Sequence, residues 1–318
     1  MPIVIRLVLA LAFANMSVLT GGAVAQDYPN KPIRIITAGG PDIVARIFGR
    51  KFTEAMGQPV ISENIAGAGG LIAAAAVAKS RPDGYTIMNA VSSLMVVSAL
   101  HKEALDQSRD FTPVASTNFL PYVLVVNPAL QVNSVQEFIA LARAKPGALN
   151  YSGASGTFAH LAFELFKTMA KVDIFHVPMN SAQQMMAVMS GQIDAVMINP
   201  ANMIGARKSG KVVALAVTSP QRSRVVPDLP TFDECGLKGY DLVGWNGFIA
   251  PLGTPPAILA KLNGVVRQAL KQPDVLKQLA DTAFEPGWDF SPEQFGNFLK
   301  SEAAKWKELA GEIKVQLD

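Results

Sequence analysis

Residues 151–160, which read YSGASGTFAH, hold the residue types best suited to chemistry: serine, threonine and histidine among small residues. A serine with a histidine base nearby is a recurring arrangement for acyl transfer. The nucleophile elbow of many hydrolases has the pattern G-x-S-x-G, whereas here the serine and glycine at 155 and 156 are followed by Thr157. The sequence therefore favours a loop that cradles a ligand, with a hydrolase using Ser155 and His160 as the weaker alternative.

Loops of the same composition recur wherever a short apolar run gives way to a helical pattern. They are residues 37–42, 64–70, 89–93, 152–157, 178–181 and 199–200. The first amides of a helix lack partners within the helix and carry part of the positive end of its dipole, so they bind an anion without a cationic side chain. Because one helix end contributes only about 0.3 to 1 kcal/mol at an exposed site, several ends must converge. The expected guest is a carboxylate or a phosphate.

Other kinds of chemistry find little support. His101, His160 and His176 are scattered and lack metal-ligand spacing, and neither a Walker-type run nor G-x-G-x-x-G occurs. Five methionines between Met185 and Met203 lie in apolar patterns typical of core packing. We therefore expect no metal and no cofactor.

The elements that must position these loops alternate between two patterns. Short β-branched runs at 33–36, 85–88, 123–126, 174–177, 195–198 and 212–217 are separated by helical patterns, which predicts an α/β chain with mostly parallel sheets. One apolar stripe from Phe158 to Met169 predicts a helix that starts near Thr157. Another is predicted from Asp42 to Gly57, a third after residues 67–70, and helices with little strand over 258–317. In such sheets, ligands bind outside the carboxyl ends of the strands.

The first 25 residues have the pattern of a secretory signal. Arg6 precedes an apolar run over 7–19, and Ala23-Val24-Ala25 forms an A-x-A site, which predicts cleavage near Ala25, before Gln26. A membrane anchor is the alternative, but the run is shorter than the ~20 residues that span a bilayer. We expect an exported, periplasmic protein.

Size and charge narrow the functional classes. With 318 residues, the chain exceeds the usual size of one compact domain, so two lobes are expected. Removing residues 1–25 takes away one basic and no acidic side chain, which leaves 27 basic against 25 acidic residues, a net charge near +2. The sequence has no block of basic residues, which argues against nucleic acid as a partner. The single cysteine, Cys235, excludes an internal disulfide.

Several segments resemble the Bug-type substrate-binding proteins of tripartite tricarboxylate transporters, the TctC-like family, over essentially the whole mature chain. The segments are YPNKPIRII (28–36), DIVAR (42–46), GQPV-ISEN-IAGAGG (57–70), PDGYT (82–86), LVVNP (124–128), KPGALNY (145–151), HVP (176–178), ALAVTS (214–219) and LPTFDECGLKGY (229–240). The resemblance implies a two-lobed periplasmic-binding-protein fold of type II. Each lobe would be a mostly parallel sheet flanked by helices, with a ligand cleft between the lobes.

The resemblance also implies which residues contact the ligand, a small organic carboxylate. They are Thr37, Ala38, Gly39, Gly40, Ala68, Ser92, Ser93, Ser155, Gly156, Thr157, His160 and Asn199. In this interpretation Ser155 donates a hydrogen bond and is not a nucleophile, and the protein is not an enzyme.

The expected function is that of a monomeric receptor that closes like a Venus flytrap on the acid and delivers it to membrane transporter subunits. Lobe 1 is predicted as 26–124 with 247–318 and lobe 2 as 125–246, with hinges near 120–124 and 245–249. A sensor that presents the ligand to a membrane signalling protein remains an alternative.

The sequence departs from the family pattern in three loops. The first loop, 37–41, and the loop 152–157 are shorter than usual, and Met179-Asn180-Ser181 replaces the usual tyrosine, lysine and glycine. The wall formed by residues 179–181 is therefore expected to be less polar than in typical members.

Overall fold

The computed structural model describes residues 28–38, 43–67, 70–100 and 110–312. The signal sequence and the candidate residues Gly39, Gly40 and Ala68 lie outside this part of the chain. The strands are β1 (Ile33–Thr37), β2 (Val60–Asn64), β3 (Thr86–Val91), β4 (Phe111–Pro121), β5 (Val123–Val126), β6 (Asn150–Gly153), β7 (Phe175–Pro178), β8 (Ala195–Ile198), β9 (Val213–Val217), β10 (Val243–Pro251) and β11 (Glu285–Pro286).

Helices follow most of the strands, as the alternation of patterns predicts. They are α1 (Ile43–Met56), α2 (Leu71–Ala78), α3 (Ser92–Leu100), α4 (Val135–Ala144), α5 (Phe158–Ala170), α6 (Ser181–Ser190), α7 (Pro200–Lys208), α8 (Pro256–Ala269), α9 (Pro273–Asp281) and α10 (Pro292–Glu312), with a 3-10 turn at Pro128–Leu130. Small polar residues cap several of them: Thr157, Asn180 and Asn199 each accept a hydrogen bond from a main-chain amide of the following turn. Gly57, with φ at 71°, follows the last turn of α1.

The strands form two sheets. The first has the order β11-β4-β10-β3-β1-β2 and the second the order β7-β6-β8-β5-β9. The expected parallel pairing is present in both, between β1 and its neighbours β2 and β3, and between β6 and its neighbours β7 and β8. Antiparallel pairs complete each sheet: β10 with β3 and β4, and β11 with β4, in the first sheet, and β5 with β8 and β9 in the second. The sheets are therefore mixed, because β10 and β11 run against β1–β4 and β5 runs against its neighbours.

The chain passes from one sheet to the other at two places. It leaves the first sheet after β4 ends at Pro121 and enters the second with β5 at Val123. It returns with β10, which starts at Val243 and is paired with β3 and β4. The predicted hinge at 245–249 therefore lies inside a strand that is bonded on both sides.

Three apolar clusters hold the elements together. One lies under α1 and α8 and includes Phe48, Phe52 and Phe248, and one lies on the outer face of the second sheet around Val125 and Val196. The largest runs continuously from Met88 of the first sheet to Tyr151 of the second and includes Trp306 of α10. Within the described residues, no helix combines the length and the apolar character that crossing a bilayer requires.

Candidate functional site

At the first sheet, the carboxyl ends of β1, β2 and β3 bring polar side chains to one edge. Thr37 is buried and is the register partner of both Asn64 and Asn89. Ser92 follows β3 directly, lies within the first turn of α3 and is 7% exposed. Three connections meet just beyond the strands, because a Cβ on Gly70 would lie 3.0 Å from the Ala38 Cβ and 3.9 Å from a Leu94 methyl. The predicted residues Thr37, Ala38, Ser92 and Ser93 therefore belong to one edge of the sheet.

At the second sheet, residues 153–157 form the connection from β6 to α5. The Thr157 Oγ donates to the Ala154 carbonyl over 2.7 Å and accepts from the main-chain amide of His160, which begins the helix. Ser155 is exposed at the turn, and its hydroxyl makes no hydrogen bond with a described residue. The parallel strands β7 and β8 end at the same edge, so residues 179–181 and Asn199 lie beside this connection.

Two histidines fasten this loop at both ends. The Gly156 amide donates to His160 Nδ1 over 3.1 Å, and His176 Nε2 lies 2.9 Å from the Gly153 carbonyl oxygen. A carbonyl only accepts, so His176 carries a proton on Nε2, whereas His160 must have a bare Nδ1 and, when neutral, a proton on Nε2. The rings stack with centroids 4.1 Å apart. The loop is thus held by two imidazoles, one accepting through Nδ1 and the other donating through Nε2.

Burial explains why His160 stays neutral. The side chain is 5% exposed, and burial, followed by the neighbouring His176, lowers the pKa of His160 to about 4. A second proton would sit on Nδ1, where the Gly156 amide already points its hydrogen. The loop geometry and the neutral ring therefore require each other.

An aromatic column supports the histidine pair from below. Tyr151 stacks on Phe163 at 3.9 Å and on His176 at 4.9 Å. The Tyr151 hydroxyl donates to Glu164, which also pairs with Lys167 over 2.7 Å. Burial and this hydrogen bond raise the pKa of Tyr151 well above its usual value. These stacked rings restrict the movement of the side chains that hold residues 153–157.

The arrangement does not form a nucleophile and base. The nitrogen of His160 that faces the loop is occupied by the Gly156 amide, and no hydrogen bond joins Ser155 to either ring. The catalytic alternative needs that bond, or at least a free acceptor nitrogen. What the loop can do is offer a free hydroxyl and main-chain amides at the start of α5.

Helix packing links the two groups of residues. Helices α3 and α5 contact each other, so the first turns that carry Ser92 and Thr157 belong to packed neighbours. Asn199 sits at the same edge as Ser155, but its Oδ1 accepts from the Ala201 amide over 2.8 Å. This leaves its amide nitrogen for a ligand. The oxygen is used to cap α7.

Sequence reasoning missed several residues of this region. His176 lies 23 positions from Gly153, whose carbonyl it binds, and only the pairing of β6 with β7 brings them together. Ser152 is 2% exposed, and its hydroxyl lacks a hydrogen-bond partner in the described ranges. The only signal in the sequence was the small-residue loop 152–157, which indicated where the site lies but not which side chains hold the loop in place.

An open groove of about 790 Å³ lies elsewhere, between α1, β2 and Gln278 of α9. It is apart from the strand ends that carry the predicted ligand contacts. Among the described residues, no group of three or more His, Cys, Asp or Glu side chains is placed to hold a metal ion.

Comparison with known proteins now decides the family. Residues 44–315 match the model of the tripartite tricarboxylate transporter family receptor, TctC. The chain belongs to this receptor family. It is also 32% identical to Protein BugT of Bordetella pertussis, over 96% of this chain and 98% of the relative. The resemblance to Bug-type proteins is thereby confirmed.

Solved members of the TctC receptor family share the architecture. Rpa4515 of R. palustris with adipate is 32% identical, with a TM-score of 0.76 over 90% of this chain and 98% of that one. MatC (Rpa3494) from Rhodopseudomonas palustris with bound malate is 32% identical, with a TM-score of 0.74 over 89% and 99%. These likenesses confirm the two-lobed α/β fold. The family consists of solute-binding receptors, so the expectation that the chain is not an enzyme is confirmed as well.

Proposed function

We propose that this TctC-family receptor captures a small organic carboxylate between its two sheets and delivers it to the membrane subunits of a tripartite tricarboxylate-type transporter. The observation that supports the proposal is that both sheets end in polar, uncharged residues and that the helices which begin there contact each other. Thr37 and Ser92 come from one sheet and Ser155 and Thr157 from the other, joined by the contact of α3 with α5. Related receptors that were solved with adipate and with malate make a carboxylate the first choice of ligand.

The charge of the acid is met by main-chain amides in this proposal. Helices α3 and α5 both begin at the candidate site, and their first amides point out of the helix. The sequence offers no lysine or arginine among residues 152–157 or 89–93. Two or more helix ends acting together supply the favourable electrostatic energy that one end alone does not.

Closure of the lobes is part of the proposal. The lobes expected from the sequence are 26–124 with 247–318, and 125–246. The strand pairing supports pivots at the crossing between Pro121 and Val123 and in the chain just before Val243, since β5 and β10 are bonded into separate sheets. A bound acid that touches both lobes favours the closed form.

The protein would work in the periplasm as a monomer, after residues 1–25 are removed near Ala25. The family and its solved periplasmic members support this location. Mass spectrometry of the exported protein tests it: an intact mass that starts at Gln26 is expected.

Calorimetric titration of the mature protein with mono-, di- and tricarboxylates tests the function. At least one acid is expected to bind with a Kd below about 10 μM, and ligand at ~100 times its Kd should add ~2.7 kcal/mol to the free energy of unfolding. The matched amides of the same acids serve as controls and should not bind. If no acid binds, or the amide binds equally well, the proposal is wrong.

A further inference from the structure

A row of amide side chains crosses the first sheet beside the candidate site. Asn89, Asn246 and Asn118 lie on the neighbouring strands β3, β10 and β4. Asn246 is the register partner of Asn118 and of Val91, and Asn89 lies two residues before Val91. Register partners, and residues two apart on a strand, project from the same face of a sheet. The three amides therefore share one face.

This face is apolar along most of its length and polar at one end. Ile35, Ile87 and Phe248 project from it into the cluster under α1 and α8. One step further towards the carboxyl ends of β1 and β3, the same face carries Thr37 and Asn89, which are register partners. The polar end is thus the end from which the connection to α1 departs.

The amides also lie where the chain passes between the sheets. Asn118 is three residues before the end of β4 at Pro121, and Asn246 is three residues after the start of β10 at Val243. Ser92 directly follows Val91, the register partner of Asn246. Because neighbouring strands are about 5 Å apart, Asn246 and Asn118 lie about 5 and 10 Å from β3, which ends at Val91 just before Ser92.

One of these amides has an unsatisfied hydrogen-bond donor. Asn118 is fully buried, its Oδ1 accepts from the Thr117 hydroxyl over 3.1 Å, and its Nδ2 has no hydrogen-bond partner among the described residues. Asn246 is half-buried, and its amide forms no hydrogen bond with a described residue. A buried donor without an acceptor is unfavourable. A ligand oxygen that accepts from this nitrogen therefore gains more binding free energy than an oxygen that accepts from a donor exposed to water.

We propose that Asn118 and Asn246, beside Asn89, bind an oxygen substituent on the carbon chain of the ligand, so that the receptor selects hydroxy- or oxo-acids over plain alkyl diacids. This inference rests on the proposed function and specifies its substrate class. The amides are uncharged and donate well to a hydroxyl or carbonyl oxygen. A methylene group in the same place leaves the donors unpaired, and sites of this kind discriminate strongly against the analogue that lacks the oxygen.

Calorimetric titration with matched acid pairs tests the inference. The pairs are succinate with malate and glutarate with 2-hydroxyglutarate, which differ only by one hydroxyl. The wild-type protein is expected to bind at least one hydroxy-acid tenfold or more tighter than its parent, a ratio of about one good hydrogen bond. Asn246→Leu and Asn118→Leu should bring the ratio to within about threefold of unity, chiefly because the hydroxy-acid binds more weakly.

Controls separate selectivity from folding. Asn133→Leu, at an exposed asparagine in the loop before α4, should keep the wild-type ratio. If Asn118→Leu does not fold, as thermal unfolding will show, the half-buried Asn246 carries the test alone.

Two outcomes overturn the inference while the proposed function stands: a wild-type ratio near one for both pairs, or Asn246→Leu with the wild-type ratio. In either case the amides face an ordered water and not the ligand. If no acid of any kind binds, the proposed function itself fails and takes this inference with it.

Discussion

The two halves of the candidate site are built in different ways. On the second sheet, residues 153–157 are fixed by named side-chain bonds: His160 and His176 hold the loop at Gly156 and Gly153, and Tyr151 stacks beneath them. On the first sheet, the strand ends offer Thr37, Ser92 and uncharged amides, and the buried Nδ2 of Asn118 has no partner within the described part of the chain. The half on the second sheet, called the braced half below, is suited to hold the charged group of the ligand in a fixed place. The half on the first sheet is suited to distinguish one ligand from another.

We predict that low pH loosens the half of the site on the second sheet, residues 153–157 with His160 and His176, before the half on the first sheet. The pKa of His160 is lowered to about 4 from 6.5, so between these values the unfolded chain binds the proton and the folded protein does not. The stabilisation is complete above pH 6.5 and is lost as the pH falls towards 4. Urea unfolding at pH 7 and pH 4 should show a loss on the order of 2 kcal/mol attributable to this ring.

His160→Gln is the matched control for this pH effect. The glutamine oxygen can accept from the Gly156 amide and does not titrate. Glu164 and Lys167 on the same helix, His176 on β7 and Tyr151 on β6 remain in the variant, so their titration cancels in the difference. An equal loss of stability in the wild type and His160→Gln would show that the buried imidazole does not govern the loop.

A second way to break the braced half is to add one methyl group. A Cβ on Gly153 would lie 3.2 Å from the His160 Cα and 3.3 Å from its Cβ, too close for an unstrained fit. Gly153→Ala should therefore push α5 away from β6, lower the free energy of unfolding by about 1 to 2 kcal/mol and weaken acid binding. Thermal unfolding and calorimetry measure the two effects.

Gly205→Ala provides the contrast in the same lobe. Gly205 lies inside α7, where an added Cβ meets no atom of the described residues within 4 Å. Alanine there should stabilise the helix by about 0.5 to 1 kcal/mol and leave the affinity unchanged. If the two alanine variants behave alike, the close approach of Gly153 to His160 has no role in shaping the site.

The same contrast explains how far the sequence could predict the site. Strand runs and the stripe from Phe158 to Met169 placed the parallel strands and the start of α5 well, because these signals are local. The small-residue loops likewise indicated strand ends where a ligand binds. Both rest on neighbours in sequence, so both were accessible before the fold was known.

What could not be predicted depends on register between distant strands. Asn246 and Asn118 meet because β10 and β4 pair antiparallel, and nothing near either residue in sequence announces the partner. His176 reaches Gly153 for a similar reason. Asn199 shows a different limit, because a polar residue at a strand end can spend its oxygen on capping the next helix.

The smallest expected effect concerns Ser155, the residue with which a catalytic interpretation begins. Its hydroxyl is exposed and forms no hydrogen bond with a described residue, so Ser155→Ala should not alter thermal unfolding. If the hydroxyl donates to the bound acid, its removal costs about 1 kcal/mol of binding, a three- to tenfold weaker Kd by calorimetry. Ser301→Ala, at an exposed serine of α10, should change neither quantity. An unchanged Kd in Ser155→Ala would mean that main-chain amides alone hold the carboxylate in this half, which makes the contrast between the two halves sharper still.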